Sequence, residues 1–244
     1  MATNSSTRGW TARRPAAALA RALRDYPRRN PLTFVYLVAV CIGLLVLGRL
    51  LPGHTADQLK IAISTNPHNM AHRPILVLLA SPLFAATDSG LVSHLLIIGG
   101  GVGICMAALE RRFGALRTVA VFLLANAVAT AVATSVAAAA IHSGRYPAQW
   151  WDGYDYGISY GVLAVAAAAT PLVPGPAVAR WLWALAVFAY PFASADWFGL
   201  VPNFATIGHE TAAAFGLAAG YHLELKTVSR QAAAWRPSAR ASNS

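Results

Sequence analysis

Six apolar stretches, near residues 32–51, 91–109, 118–141, 157–173, 178–195 and 205–222, dominate this sequence and leave it few folds to choose from. Each is close to the roughly 20 residues a helix needs to cross a ~30 Å hydrocarbon layer at ~1.5 Å per residue. Only 11% of all residues are charged, against 57% hydrophobic. A soluble domain carries roughly a quarter charged residues. The composition therefore excludes a disordered chain, a secreted disulfide scaffold and a soluble enzyme. Backbone polar groups in lipid must be satisfied within the segment, so the stretches read as helices. The predicted fold class is an all-α polytopic membrane protein, a bundle of six transmembrane helices.

A seventh apolar run, residues 75–86 between Pro74 and Asp88, is about 12 residues long and contains Pro82. That length fits a re-entrant or interfacial segment better than a span. The first stretch is too long for a signal-peptide core and no cleavage pattern follows it, so it reads as a true span. Cys41 and Cys105 lie within apolar runs and read as small packing residues, with no disulfide, metal site or cofactor implied.

The net charge of +10 is a matter of sidedness, with no nucleic-acid partner implied. With both ends inside, the cytoplasmic parts carry 15 of the 19 basic residues. They are Arg8, Arg13, Arg14, Arg21, Arg24, Arg28, Arg29, Arg111, Arg112, Arg117, Arg180, Lys226, Arg230, Arg236 and Arg240. Arg49, Lys60, Arg73 and Arg145 fall outside. This is the positive-inside pattern of six spans, and counting residues 75–86 as a span would reverse it for Arg111, Arg112 and Arg117. The organisation read from it is a basic cytoplasmic segment 1–30, a membrane domain 31–225 and a basic cytoplasmic tail 226–244. Residues 1–14 and 235–244 have the composition of mobile ends. Residues 15–26 fit either a surface helix with Leu19 and Leu23 on one side, favoured by anionic lipid, or a plain orientation signal. Trp150 and Trp151 outside, and Trp181 and Trp183 inside, read as interfacial anchors. The expected location is a bacterial cytoplasmic membrane, the arginine and alanine bias matching a high-GC source.

Polar residues inside apolar spans are costly, so each requires an account. His94 enters span 2 from the outer side by about four residues, Ser159 span 4 by two or three, and His209 span 6 by about five. All three thus occupy one layer, roughly 4–8 Å below the outer helix ends. A serine hydroxyl becomes a nucleophile when a neutral imidazole takes its proton, and a further donor stabilises the oxyanion, so the layer points to acyl transfer. Read singly, the serine can bond its own helix and a histidine can bridge two helices. Gly157 and Gly161, and Gly208, Ala212, Gly216 and Gly220, form four-residue stripes that let helices 4 and 6 approach closely. Three look-alikes fail. The run Gly99-Gly100-Gly101-Val102-Gly103 has no preceding strand. His209-Glu210 has Ala213 in place of a second metal-binding His. Gly157-Ile158-Ser159-Tyr160-Gly161 has no strand-to-helix elbow.

Taken in order, these features resemble the rhomboid family of intramembrane serine proteases. The six spans and long first outer loop match, as do Gly157-Ile158-Ser159 and Gly208-His209. Glu110-Arg111-Arg112-Phe113-Gly114 resembles the family's E-x-x-x-G segment, with His94 sixteen residues before Glu110. The resemblance implies that Ser159 is the nucleophile and His209 the general base. It also implies that His94 and the Ser159 backbone N–H form the oxyanion hole, and that transmembrane proteins are the substrates. Four positions depart from the pattern. Ile98 replaces an asparagine, Tyr160 a small residue and Ala212 a glycine, while Glu210 is atypical beside His209. Two function classes follow: a Ser–His endopeptidase cutting near the outer membrane face, and a catalytically inactive relative that binds membrane helices for quality control or trafficking. The first is favoured by the retained Ser159 and His209, the second by Ile98 and Tyr160.

Overall fold

A computed structural model describes residues 13–87, 90–155 and 158–234. Gly157, Asp88 and the two polar ends lie outside the described residues. Asn30 and Pro31 divide the first helical run. Helix α1 (Arg13–Arg29) is amphipathic, with Leu19 and Leu23 exposed among its arginines. Helix α2 (Pro31–Leu50) starts with proline at the first position, where the missing N–H costs nothing. The first loop holds α3 (Gly53–Ile63), α4 (Pro67–His72) and α5 (Pro74–Leu83). Helix α5 is the seventh apolar run, and its length of roughly 15 Å cannot cross a membrane.

Helix α6 (Leu91–Phe113) follows, wound in wide π turns over Leu95–Met106, then α7 (Ala115–His142). Gly114, at φ 88°, makes the reversal between them, a conformation that only glycine adopts freely. Next come α8 (Ile158–Ala168) and α9 (Ala177–Ala189). A two-residue hairpin of β1 (Trp197–Phe198) and β2 (Val201–Pro202) precedes α10 (Phe204–Ala234). All six expected stretches are helical. Helices α2, α6 and α7 are long and apolar enough to cross a membrane. Helix α8 is not: its 11 residues extend only ~16 Å. Helix α10 runs to Ala234, so the segment expected to begin a tail at 226 continues the helix. Among the tryptophans read as anchors, Trp181 is exposed, but Trp183 donates its indole N–H to the Ala166 carbonyl at 2.9 Å. Trp150 packs edge-on against Phe198 and Phe204.

The centre of the bundle is α8, buried at Ile158 and throughout Tyr160–Ala168. Helices α6, α7 and α10 pack around it, α10 most extensively. The contact is backbone on backbone. A Cβ on Gly216 would lie 2.0 Å from the Ala164 carbonyl oxygen, and one on Gly220 2.2 Å from that of Ala168. Elsewhere the neighbour is a side chain: Gly101 of α6 accepts Val162 Cγ1, and Gly161 accepts the Phe122 ring of α7. At the other end of the bundle, Glu110 closes the start of α2. Its carboxylate accepts the N–H groups of Leu32 and Thr33, each at 2.9 Å, and the Thr33 hydroxyl at 2.7 Å. A carboxylate on an N-terminus satisfies donors that the helix itself cannot. Beside it, Arg111 reaches Asn30, and Arg112 makes a two-bonded ion pair with Glu224 of α10.

Four substitutions test these contacts, with stability measured as thermal unfolding in detergent. Gly216→Val should destabilise by about 1–3 kcal/mol, because α8 and α10 must separate. Gly99→Ala, whose added methyl meets nothing within 4 Å, should be near neutral. Glu110→Ala strands two N–H groups and a buried hydroxyl and should cost ~1–3 kcal/mol, with Glu110→Gln losing less because it keeps an acceptor.

Candidate functional site

The short central helix sets the depth of the site. Helix α8 is only about half the length of a span, and its first turn is enclosed by the bundle: Ile158 and Tyr160 are buried and Ser159 is half-buried. Two cavities reach that turn, and Ser159 lines both. The first, of about 290 Å³, contains His94, Ile97 and Ile98 of α6, with Ala85 and Ala86 of the first loop and Asp155 ahead of α8. The second, of about 390 Å³, lies between α6, α8, α9 and α10. It contains His209 and Thr206 of α10, Gly100, Gly101 and Cys105 of α6, and Trp183 and Val187 of α9. The three residues read as one layer are therefore brought to adjoining spaces, His94 on one side of the serine and His209 on the other.

Each histidine is held by its own helix. His94 Nδ1 lies 3.2 Å from the Gly90 carbonyl, and the ring of His209 is within reach of the Ala205 backbone. A ring N–H donated to a carbonyl leaves the other nitrogen as an acceptor. Ile98, one turn after His94, presents only hydrocarbon to the first cavity.

Tyr160, which stands where the family pattern has a small residue, does not project into either cavity. It is fully buried. Its ring passes toward α10 and meets His209 edge-on, with ring centroids 4.9 Å apart. Gly208 makes room for it, since a Cβ there would sit 2.4 Å from the tyrosine Cζ. The Tyr160 hydroxyl donates to Asp155 Oδ2 at 2.6 Å, and the same oxygen accepts the Thr65 hydroxyl at 2.8 Å. Thr65 N–H also donates to the Asp155 carbonyl, and the Asp155 N–H to Ser64 Oγ. The first loop is thereby fastened to the chain just before α8, and through Tyr160 to the ring of His209.

Asp155, Ser64 and Thr65 were not among the residues singled out from the sequence. Asp155 stands one turn before Ser159, which is a local signal, but its partners in the first loop, Ser64 and Thr65, lie about 90 positions away. Of the other departures, Ala212 is a buried member of the α10 stripe, and Glu210 is half-buried and lines neither cavity. Its Oε1 has no hydrogen-bond partner among the described residues. Among the described residues no group of three or more His, Cys, Asp or Glu side chains is placed to hold a metal.

A protein family described as Rhomboid-like protein matches residues 25–229, which takes in both cavities and every residue named around them. No curated protein and no solved structure matches the chain.

The loop-to-helix link makes a measurable prediction. Asp155→Ala removes the acceptor of two buried hydroxyls and should lower stability by ~2–3 kcal/mol. Tyr160→Phe keeps the ring on His209 and should cost about 1–2 kcal/mol. In a double-mutant cycle with unfolding as readout, the two losses should fall short of additive, since both delete the same bond.

Proposed function

The chain belongs to the family of rhomboid-like proteins, and from that premise we propose that it is an intramembrane serine endopeptidase that cuts transmembrane helices near one membrane face. The observation that carries this reading is the position of Ser159, on the shared wall of the cavity that holds His94 and the cavity that holds His209. In the reading, six helical segments cross the bacterial cytoplasmic membrane with both termini cytoplasmic, the fourth being α8 together with the turn Thr170–Leu172 that follows it.

Chemistry then follows from the placement. The Ser159 hydroxyl attacks the scissile carbonyl and gives its proton to the imidazole of His209. The developing oxyanion turns toward the side of His94 and the Ser159 backbone N–H, which belongs to the first turn of α8, where N–H groups look outward from the helix end. When the C–N bond breaks, His209 returns the proton to the leaving amine. Water then hydrolyses the acyl-serine with the same imidazole as base. Tyr160 keeps the imidazole ring from turning away. A substrate helix must unwind to offer an extended backbone, which favours segments with Gly or Pro near that face.

One observation supports the alternative, a rhomboid-like protein that binds helices without cutting them: Ile98 lines the cavity where a further oxyanion donor would be useful. Losing one such donor costs about 10²–10³ in rate.

A cleavage assay with reconstituted protein and Gly- or Pro-containing transmembrane substrates separates the two. Ser159→Ala and His209→Ala should each abolish cleavage, with the double variant no worse, because a nucleophile and its base act as a unit. His94→Ala should lose less. Cleavage by Ser159→Ala at the wild-type rate overturns the protease reading. Wild type that cuts nothing, escapes a fluorophosphonate probe and still binds helices establishes the alternative, and Ile98→Asn is then the informative rescue.

A further inference from the structure

Helix α1 (Arg13–Arg29) is two-sided. At 3.6 residues per turn, every charged residue of the helix falls on one half of its circumference. Leu19, Leu23, Tyr26 and Pro27 fall on the other half. The charged half is strongly cationic: its one acid, Asp25, is paired with Arg29 at 3.3 Å. Arg24 and Arg28 are exposed and have no side-chain partner among the described residues. On the apolar half, Leu19 and Leu23, one turn apart, are 61% and 65% exposed. A plain orientation signal needs only the arginines, so it accounts for neither the bare leucines nor the division of the helix into two faces.

The position of α1 decides what covers those leucines. Only Asn30 separates it from α2, which is long and apolar enough to cross a membrane. The joint is held: Asn30 accepts from Arg111 at 2.7 Å and donates to the Tyr26 carbonyl at 3.1 Å. The Tyr26 hydroxyl donates to the Gly103 carbonyl of α6 at 2.7 Å. Leu23, Tyr26 and Pro27 line a groove of about 630 Å³ between α1, α2 and α6, with Phe34, Val38 and Ile42 of α2 on its wall. The apolar half of α1 is thus continuous with an exposed hydrocarbon face of α2, and the arginines lie away from it. A helix tied to a span, apolar toward hydrocarbon and basic on its other side, is built to lie in the plane of a membrane surface. We propose that α1 is an interfacial helix seated in an anionic leaflet, with Leu19 and Leu23 among the acyl chains and the arginines among the headgroups. Charge names the surface: a zwitterionic leaflet offers these guanidinium groups no net attraction, and a second copy of the same basic helix repels them. The groove is filled by acyl chains whatever their headgroup. Seating of α1 is independent of whether Ser159 is catalytic.

The test uses the full chain in vesicles of phosphatidylcholine alone and of phosphatidylcholine mixed equally with phosphatidylglycerol. Spin labels are placed singly through Leu19→Cys, Arg21→Cys, Leu23→Cys and Arg28→Cys, with Cys41→Ala and Cys105→Ala. In the mixed vesicles the labels at 19 and 23 should lie ~5–10 Å below the headgroups, reached by oxygen and shielded from a nickel chelate. Those at 21 and 28 should show the reverse. In phosphatidylcholine alone the labels at 19 and 23 should be shallower. Arg21→Gln, Arg24→Gln and Arg28→Gln together should bring the label at 23 in mixed vesicles to its phosphatidylcholine depth. Arg180→Gln, Lys226→Gln and Arg230→Gln, the same charge removed elsewhere, should leave it unchanged. On the wild-type chain, trypsin should cut after Arg21 and Arg28 several times more slowly in the mixed vesicles. A label at 23 open to the chelate in mixed vesicles overturns the proposal. So does one shielded from both reagents, which means that protein covers the face. Equal depth and equal trypsin rate in the two lipids, or an equal effect of the two triple variants, overturns it as well. The trypsin measurement uses the unaltered chain, so the answer does not depend on the cysteine variants folding.

Discussion

The close approach of α8 and α10 is the contact on which the rest of the structure depends. In lipid, two apolar helices gain little from being apolar, and they associate through van der Waals packing at short range. Gly216 and Gly220 permit that range by leaving no side chain over the Ala164 and Ala168 carbonyls. At the first position of the same stripe, Gly208 gives Tyr160 the same kind of room. The result is a central helix enclosed on all sides, with Ser159 in its first turn and His209 across from it on the same cavity. Separation of these two helices would loosen both the core and the site.

Two buried carboxylates secure the helices from opposite ends. Glu110 takes the N-terminal donors of α2, and Asp155 takes the hydroxyls of Thr65 and Tyr160. Both follow one rule: a charge removed from water must find enough donors to replace it. The consequences differ. Glu110 fixes α2 against α6 and so builds the frame. Asp155 joins the buried Ser64–Thr65 segment of the first loop to a residue that touches His209, so the geometry of the imidazole is linked to a segment far earlier in the chain.

Helix α6 serves as a partition. Its glycine-rich, widely wound middle turns Gly100, Gly101 and Cys105 toward the cavity of Ser159 and His209. The same turns present Gly99, Gly103 and Ile104 to the groove beneath α1. Glycines thin the wall on both sides, which is why a run that resembles a phosphate loop in sequence has a packing role in the structure.

Much of this was legible in the sequence. Hydropathy is a property of short windows, so the six helical stretches, the brevity of the seventh run and the exclusion of a soluble fold followed from composition and length. The cost of a polar group in lipid is likewise a per-residue quantity, and it singled out His94, Ser159 and His209. The four-residue spacing of glycines announced a close helix pair because 3.6 residues per turn puts them on one face. What the sequence could not determine was direction and partner. Tyr160 stands beside the serine in sequence where the family pattern has a small residue, and tertiary packing turns it into the space over Gly208. Asp155, Thr65 and Glu110 acquired their roles from partners 77 to 90 positions away. Those pairings exist only once the helix crossings are set, and the crossings are set by which backbones touch, a long-range condition that no local window contains.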